Sequence, residues 1–131
     1  MKQFTSELSF DELETIILER VIEDVGLIIG TEHKTFKNIL TVAQELKEFP
    51  VETFVDYAID EALIYDGQLD RPQELRVKSI VRLKDGEDSL IGIIENINLY
   101  REPSMRYAVD IPEYVDLAFT GTESIIEVLV W

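Results

Sequence analysis

Apolar and charged residues alternate along residues 75–84, which is the clearest local pattern in the chain. The odd positions are apolar at Leu75, Val77, Val81 and Leu83. The even positions are cationic at Arg76, Lys78, Arg82 and Lys84. A period of two predicts a strand with one buried and one solvent-exposed face. Asp85 and Gly86 tolerate the positive φ of a tight reversal, and a second apolar run follows at residues 90–94, so the region predicts a β-hairpin.

The same alternation returns further along the chain and predicts more strands. Residues 91–99 fit one long strand that bends at Gly92, although Ser89 could instead cap a helix here. The density of β-branched residues and Gly92 itself favour the strand. Shorter alternating or apolar segments follow at residues 105–111, 115–119 and 125–131. Four or five short strands at this spacing predict a small β-barrel or a curled antiparallel sheet.

Residues 1–67 show helical periodicity instead. Ser9 is followed three residues later by Glu12, which is a capping-box pattern at the start of a helix. Apolar residues then recur at helical spacing as far as Val25, and Gly26 is a typical C-terminal stop. The pattern predicts a helix over residues 10–25.

Two further amphipathic helices are predicted before the linker. The first is capped by Thr31 or Thr35 and ends before Pro50, because the residue preceding a proline is disfavoured in helical conformation. The second has Pro50 in its first position and ends at Gly67. The apolar stretch at residues 27–29 fits either a buried connector or a brief strand.

The polar stretch at residues 68–74 separates the helical pattern from the strand pattern. We expect an acidic helical region over residues 1–67, a linker over residues 68–74 and a small β-barrel over residues 75–131. A chain of 131 residues suits one compact unit. The predicted fold class is α+β, with an N-terminal layer of about three helices packed on a C-terminal barrel or curled antiparallel sheet.

Four segments of the strand region resemble the SH3-like small β-barrels. Residues 81–86 (VRLKDG) and 92–95 (GIIE) are similar to the V-x-L-x-D-G and G-x-I/V-x-E strands of that group. Residues 107–111 (YAVDI) and 125–129 (IIEVL) are similar to its Y-x-V-x-F/I strand and its closing apolar strand. The resemblance implies an SH3-like barrel, a fold that serves as a protein-binding, nucleic-acid-binding or accessory module.

Composition limits the classes of protein that fit. Hydrophobic residues make up 46% of the chain, which is ample for a packed core. No apolar run approaches the roughly 20 residues that cross a bilayer, and we expect neither a secretory signal nor a membrane partner. Cysteine is absent, which excludes disulfides and thiolate metal sites and fits a reducing cytoplasm.

The charge is strongly acidic and unevenly distributed. The chain has 27 acidic and 12 basic residues, a net charge of −15. Residues 1–70 hold 16 acidic and 5 basic side chains, a net charge of −11. Such a field repels nucleic acids and anionic membranes and attracts basic protein surfaces. Solubility alone is the competing explanation of the charge.

Six carboxylates are predicted on the polar faces of the helices and are candidate partner-binding residues: Glu12, Glu14, Glu19, Glu52, Asp56 and Asp60. The last three, at positions i, i+4 and i+8, also have the oxygen ligands that Mg²⁺ or Ca²⁺ prefers. They lie opposite the apolar stripe, where carboxylates are normally solvated. We therefore expect no metal and no cofactor.

Catalytic patterns are missing from the sequence. His33 is the only histidine, and it lies in a predicted loop where we expect an ordinary surface residue. No glycine-rich phosphate-binding loop of a common type is present. The sequence therefore favours a protein that is not an enzyme.

The cationic residues Arg76, Lys78, Arg82 and Lys84 are an alternative binding strand for nucleic acid or phosphate. The competing interpretation is that acidic helices, or strands that carry Glu95 and Asp110, neutralise these charges. Aromatic side chains in the strand region either pack in the core or form a shallow groove: Tyr100, Tyr107, Tyr114, Phe119 and Trp131.

The leading functional hypothesis is a non-enzymatic protein that binds a basic surface of a partner protein through its acidic helical face. In its sharpest form it is an inhibitor or nucleic-acid mimic, as small phage or mobile-element proteins are. The alternatives are a nucleic-acid or ribosome accessory module that uses the cationic strand, and a toxin-neutralising immunity-type protein. Either a monomer or a homodimer fits the sequence.

Overall fold

The computed structural model describes residues 4–30, 32–46, 49–112 and 114–131. Within these ranges three α-helices come first and a five-stranded antiparallel sheet follows. The predicted α+β class is therefore confirmed. The chain divides into two compact units, Met1–Arg71 and Pro72–Trp131. None of the helices in the described ranges has both the length and the apolar character that a membrane span requires.

The first unit contains the helices α1 (Phe10–Val25), α2 (Lys34–Glu45) and α3 (Val51–Tyr65). Helix α1 has the predicted bounds, because Ser9 and Glu12 form the capping box and Gly26 adopts the left-handed conformation at its end. The apolar stripes of the helices supply the buried side chains of the unit, the largest being Leu13, Ile17, Phe36, Ile39, Leu40 and Phe54.

Two local predictions in this unit need correction, and one open alternative is resolved. Helix α2 is capped by the side chain of His33 and not by Thr35, while Thr31 lies outside the described residues. Pro50 is the N-cap of α3, one residue before the predicted position. Residues 27–29 form no strand, and Ile29 is buried, so this stretch is a connector.

The second unit contains the strands β1 (Ile80–Asp85), β2 (Asp88–Ile97), β3 (Tyr107–Asp110), β4 (Ala118–Thr120) and β5 (Ile125–Val130). Their order in the sheet is β4-β3-β2-β1-β5. The predicted hairpin is confirmed, with the register Leu83 opposite Leu90 and Ile80 opposite Ile93. The helical alternative for the residues after Ser89 is wrong, since they lie in β2.

Strand β1 begins at Ile80 and not at Leu75 as the alternation predicts. Lys78 has a positive φ of 80°, and the Ser79 N–H donates to the Arg76 carbonyl in a turn. A left-handed residue interrupts an extended strand, so the chain enters the sheet only after this turn.

One face of the sheet buries a compact apolar cluster. Its buried members are Val81, Leu83, Ile94, Val109 and Ile111. Strands β4 and β5 occupy the two edges, and no pairing joins them within the described ranges. The sheet is therefore open, in contrast to the closed barrel that was one of the two predicted forms.

Candidate partner-binding surface

Helix α3 carries a column of acidic side chains on its exposed side. Glu52, Asp56 and Asp60 follow one another at intervals of four residues, and all three are exposed. One interval corresponds to a rise of about 6 Å, slightly more than one helical turn. The predicted exposure of these three carboxylates is therefore present, and their charges are regularly spaced along the helix.

Arg20 connects this column to helix α1. Its guanidinium donates two hydrogen bonds to the Glu52 carboxylate, with Nη2 at 3.1 Å from Oε2, and it lies 3.6 Å from Asp24. The hydrogen bonds to Glu52 raise the pKa of Arg20, while burial opposes them more weakly. Glu52 is therefore already engaged in an ion pair within the protein.

The three candidates on α1 have different roles. Glu12 accepts a hydrogen bond from the Ser9 N–H at 3.1 Å, so its carboxylate completes the capping box. Glu14 is half-buried and borders a depression of about 330 Å³ whose other lining residues are Phe10, Lys37, Leu40 and Thr41. Glu19 is exposed.

Three of the six acidic candidates thus remain available to a partner. Glu19, Asp56 and Asp60 are exposed and form no ion pair with any residue of the described ranges. Glu12 and Glu52 contribute to the fold through a cap and an ion pair. This division identifies which substitutions test binding without also removing a structural contact.

The four cationic candidates do not form one ladder on a strand. Arg76 and Lys78 precede β1, and only Arg82 and Lys84 lie within it. Arg82 approaches Glu127 of β5 at 3.4 Å and donates to the Ser89 hydroxyl at 3.3 Å.

The neighbours of these cations lie inside the same unit. The acidic neighbour of Arg82 is on β5, whereas the sequence pointed to acidic helices or to strands that carry Glu95 and Asp110. Arg76 donates from Nε to the carbonyl oxygen of Trp131 at 3.2 Å. Intramolecular contacts therefore engage Arg76 and Arg82.

The helical unit contains a buried polar cluster that the sequence pattern does not predict. Glu61 of α3 is only 3% exposed, and Arg71 donates to both of its carboxylate oxygens at 2.8 and 2.6 Å. His33 Nε2 lies 3.7 Å from the same carboxylate. One feature of the sequence indicates that Glu61 is buried, because Glu61 continues the helical spacing of Phe54 and Ala58 on the apolar stripe. No local signal identifies Arg71 as its partner.

His33 is a capping residue and not the ordinary surface residue that its predicted loop suggested. Its Nδ1 accepts a hydrogen bond from the Phe36 N–H at 3.5 Å, at the start of α2, and its ring meets Tyr65 edge-on at 5.2 Å. Each of these polar groups has a partner inside the unit. Within the described ranges, no three His, Asp or Glu side chains are placed to hold a metal ion.

The aromatic residues of the second unit do not behave as one group. Tyr107 packs against the apolar cluster of the sheet, whereas Tyr100, Tyr114 and Phe119 are exposed. The Arg101 guanidinium lies over the Phe119 ring at 4.6 Å from its centroid. A cation is therefore already stacked on one of the rings that a groove would use.

Comparisons with protein-family models, with curated proteins and with solved structures find no match to this chain. No relative therefore supplies a function. The exposed carboxylates of the helical unit and the exposed surface of the sheet are the features from which a function is inferred.

Proposed function

We propose that this protein is a non-enzymatic binding module whose helical unit presents carboxylates to a basic surface of a partner protein. The observation that carries the proposal is the exposure of Glu19, Asp56 and Asp60 without ion pairs in the described ranges. Residues 1–70 carry a net charge of −11, so these side chains lie in a strongly negative field. Such a field accelerates association with a cationic surface and selects against anionic ones.

An inhibitor or nucleic-acid mimic is the form of this function that the helix geometry favours. Asp56 and Asp60 lie about 6 Å apart along α3 and repeat a negative charge at a short interval, as a nucleic-acid strand also does. Glu52 continues this spacing, but Arg20 neutralises its charge. A toxin-neutralising protein would use the same acidic surface and differ only in its partner. The accessory-module alternative is less favoured, because Arg76 and Arg82 are engaged inside their own unit.

We also propose that residues 75–131 are related to the SH3-like small barrels. Four segments carry the resemblance, and they form β1, β2, β3 and β5 in that order. Strand β5 returns to pair with β1, which supports the proposal. The absence of a β4–β5 pairing in the described ranges makes this unit a more open form of such a barrel.

The experiment combines affinity capture with two variants of equal charge. The full chain is used to retain proteins from a nuclease-treated lysate, and the dissociation constant of each retained protein is then measured. The binding variant is Glu19→Gln/Asp56→Asn/Asp60→Asn. The control variant is Glu87→Gln/Asp88→Asn/Glu95→Gln, which changes three exposed acids of the second unit and the net charge equally.

We expect the binding variant to weaken the affinity for a basic partner about 5- to 30-fold, because three rim charges contribute about 1–2 kcal/mol together. Its dependence on salt should become flatter, and the control variant should change the affinity less than threefold. Equal effects of the two variants would mean that only net charge matters. Partners lost on nuclease treatment would instead support the nucleic-acid alternative.

A further inference from the structure

Strand β4 is an open edge with apolar side chains on its outer face. Within β4, Ala118 packs toward the apolar cluster and Thr120 is buried. Leu117 and Phe119, in the alternate positions, are each 44% exposed. The outward face of a half-buried strand is normally polar, so this alternation is reversed from the usual one.

The exposed apolar surface extends beyond the strand itself. Val115, just before β4, is 102% exposed, and Tyr114 is about half exposed. Met105 is also exposed and belongs to the short 3-10 turn Pro103–Met105, which lies beside β4. Edge strands of natural proteins are usually guarded by charges, prolines or bulges, and large exposed apolar patches mark interaction sites.

Negative charge surrounds this patch. Glu102, Asp116 and Glu123 are exposed and form no ion pair with any residue in the described ranges. The two cations nearby already have contacts, because Arg101 stacks on Phe119 and Arg106 donates from Nε to the Arg101 carbonyl at 3.2 Å. Both guanidinium groups keep their charge, so the three carboxylates outnumber the cations of the patch by only one. The net charge of −15 on the whole chain adds to this excess, and the rim therefore favours a cationic occupant over a second copy of this acidic chain.

We propose that the β4 edge binds an extended segment of a partner protein in which apolar and basic residues alternate. The segment adds to β4 as a sixth strand, and its backbone supplies hydrogen bonds to the open edge. Its apolar side chains cover Leu117 and the part of Phe119 that Arg101 leaves exposed. Its basic side chains meet Glu102, Asp116 and Glu123. This site lies in the second unit and does not depend on the acidic helical surface.

The test uses the full chain and a short fluorescent peptide that alternates lysine and valine, with a glutamate–valine peptide for comparison. Fluorescence anisotropy gives the affinities, and hydrogen exchange reports protection of the β4 amides. Leu117→Lys and Phe119→Lys are the two edge variants. Ile126→Lys is the matched control, because Ile126 is an exposed apolar residue of β5 at the opposite edge.

We expect the lysine–valine peptide to bind at least tenfold more tightly than the glutamate–valine peptide and to protect the amides of β4. Each edge variant should weaken binding about tenfold or more, whereas Ile126→Lys should change it less than twofold. The Glu19→Gln/Asp56→Asn/Asp60→Asn variant should retain peptide binding within about threefold, which separates this site from the proposed function of the helices.

Three outcomes would overturn the proposal. Equal binding of the two peptides would remove the role of charge, and equal effects of the Phe119→Lys and Ile126→Lys variants would remove the role of this edge. Self-association of the free chain that Phe119→Lys abolishes, without peptide binding, would assign the edge to a second copy instead. Thermal unfolding of each folded variant confirms that the comparison is made between native proteins.

Discussion

At the scale of single residues, Glu61 is a buried carboxylate that requires a partner to replace its hydration. A carboxylate that is 3% exposed loses most of its hydration, and Arg71 replaces it with two hydrogen bonds. Hydrogen bonding to Glu61 raises the pKa of Arg71 above its ordinary value, with desolvation acting in the opposite direction. The contribution of this interaction is therefore complete below the ordinary pKa of arginine and is lost only in strong alkali, where Arg71 loses its proton.

We predict that Arg71→Met lowers the free energy of unfolding by about 2–3 kcal/mol at pH 7, because it leaves the Glu61 carboxylate without its main partner. The double variant Glu61→Leu/Arg71→Met should regain more than half of that loss, since it also removes the buried charge. Urea denaturation of Arg71→Met, of Glu61→Leu and of the double variant measures the coupling. Losses that simply add would show that the pair does not act as a unit.

At the scale of elements, local signals define the helices better than the strands. The capping box and Gly26 fix α1 at both ends because those interactions involve residues only a few positions apart. The predicted start of β1 was wrong. The alternation of apolar and cationic residues continues through Lys78, but the backbone of Lys78 is left-handed and not extended. One sequence feature indicates the later start, because Ser79 and Ile80 reverse the alternation. In the structure both residues are fully buried.

The packing of the sheet requires glycine at position 92, and the sequence alone does not show this requirement. The sequence suggested a bend at this position, whereas the structure shows that a Cβ here would overlap the Val109 side chain and approach Ile111 Cγ1 at 3.2 Å. We predict that Gly92→Ala lowers the free energy of unfolding by about 1–3 kcal/mol through overpacking.

Chemical denaturation of Gly92→Ala is best compared with Gly30→Ala. Among the described residues that are not its chain neighbours, the nearest atom that a Cβ at position 30 would meet is the Glu32 nitrogen at 4.0 Å. The control should change the free energy of unfolding by less than about 1 kcal/mol in either direction. Equal effects at the two positions would show that close packing against Val109 is not what requires glycine in β2.

At the scale of the whole molecule, the net charge of −15 makes the acidic side chains repel one another, which destabilises the folded state. Individual ion pairs such as Arg20 with Glu52 are solvent-exposed and contribute little each. Salt weakens such pairs and also screens the repulsion, and with 27 acidic against 12 basic residues the screening of repulsion should dominate.

We therefore predict that raising sodium chloride from about 20 mM to about 500 mM increases the Tm by about 3 °C or more, equivalent to roughly 1 kcal/mol. Differential scanning calorimetry at constant pH measures the change. The Glu19→Gln/Asp56→Asn/Asp60→Asn variant should show a smaller increase, because it has fewer repelling charges. A Tm that falls with salt would mean that ion pairs outweigh the repulsion.

The sequence by itself determined the α+β class, the bounds of α1, the hairpin of β1 and β2 and the acidic character of the first 70 residues. These features depend on interactions between near neighbours or on composition. Only the tertiary structure decided that Arg71 neutralises a buried Glu61, and that Arg82 meets Glu127, 45 residues away. It also decided that Leu117 and Phe119 face outward on an open edge. Contacts between distant residues are set by how whole elements pack, and spacing along a single segment contains no record of them.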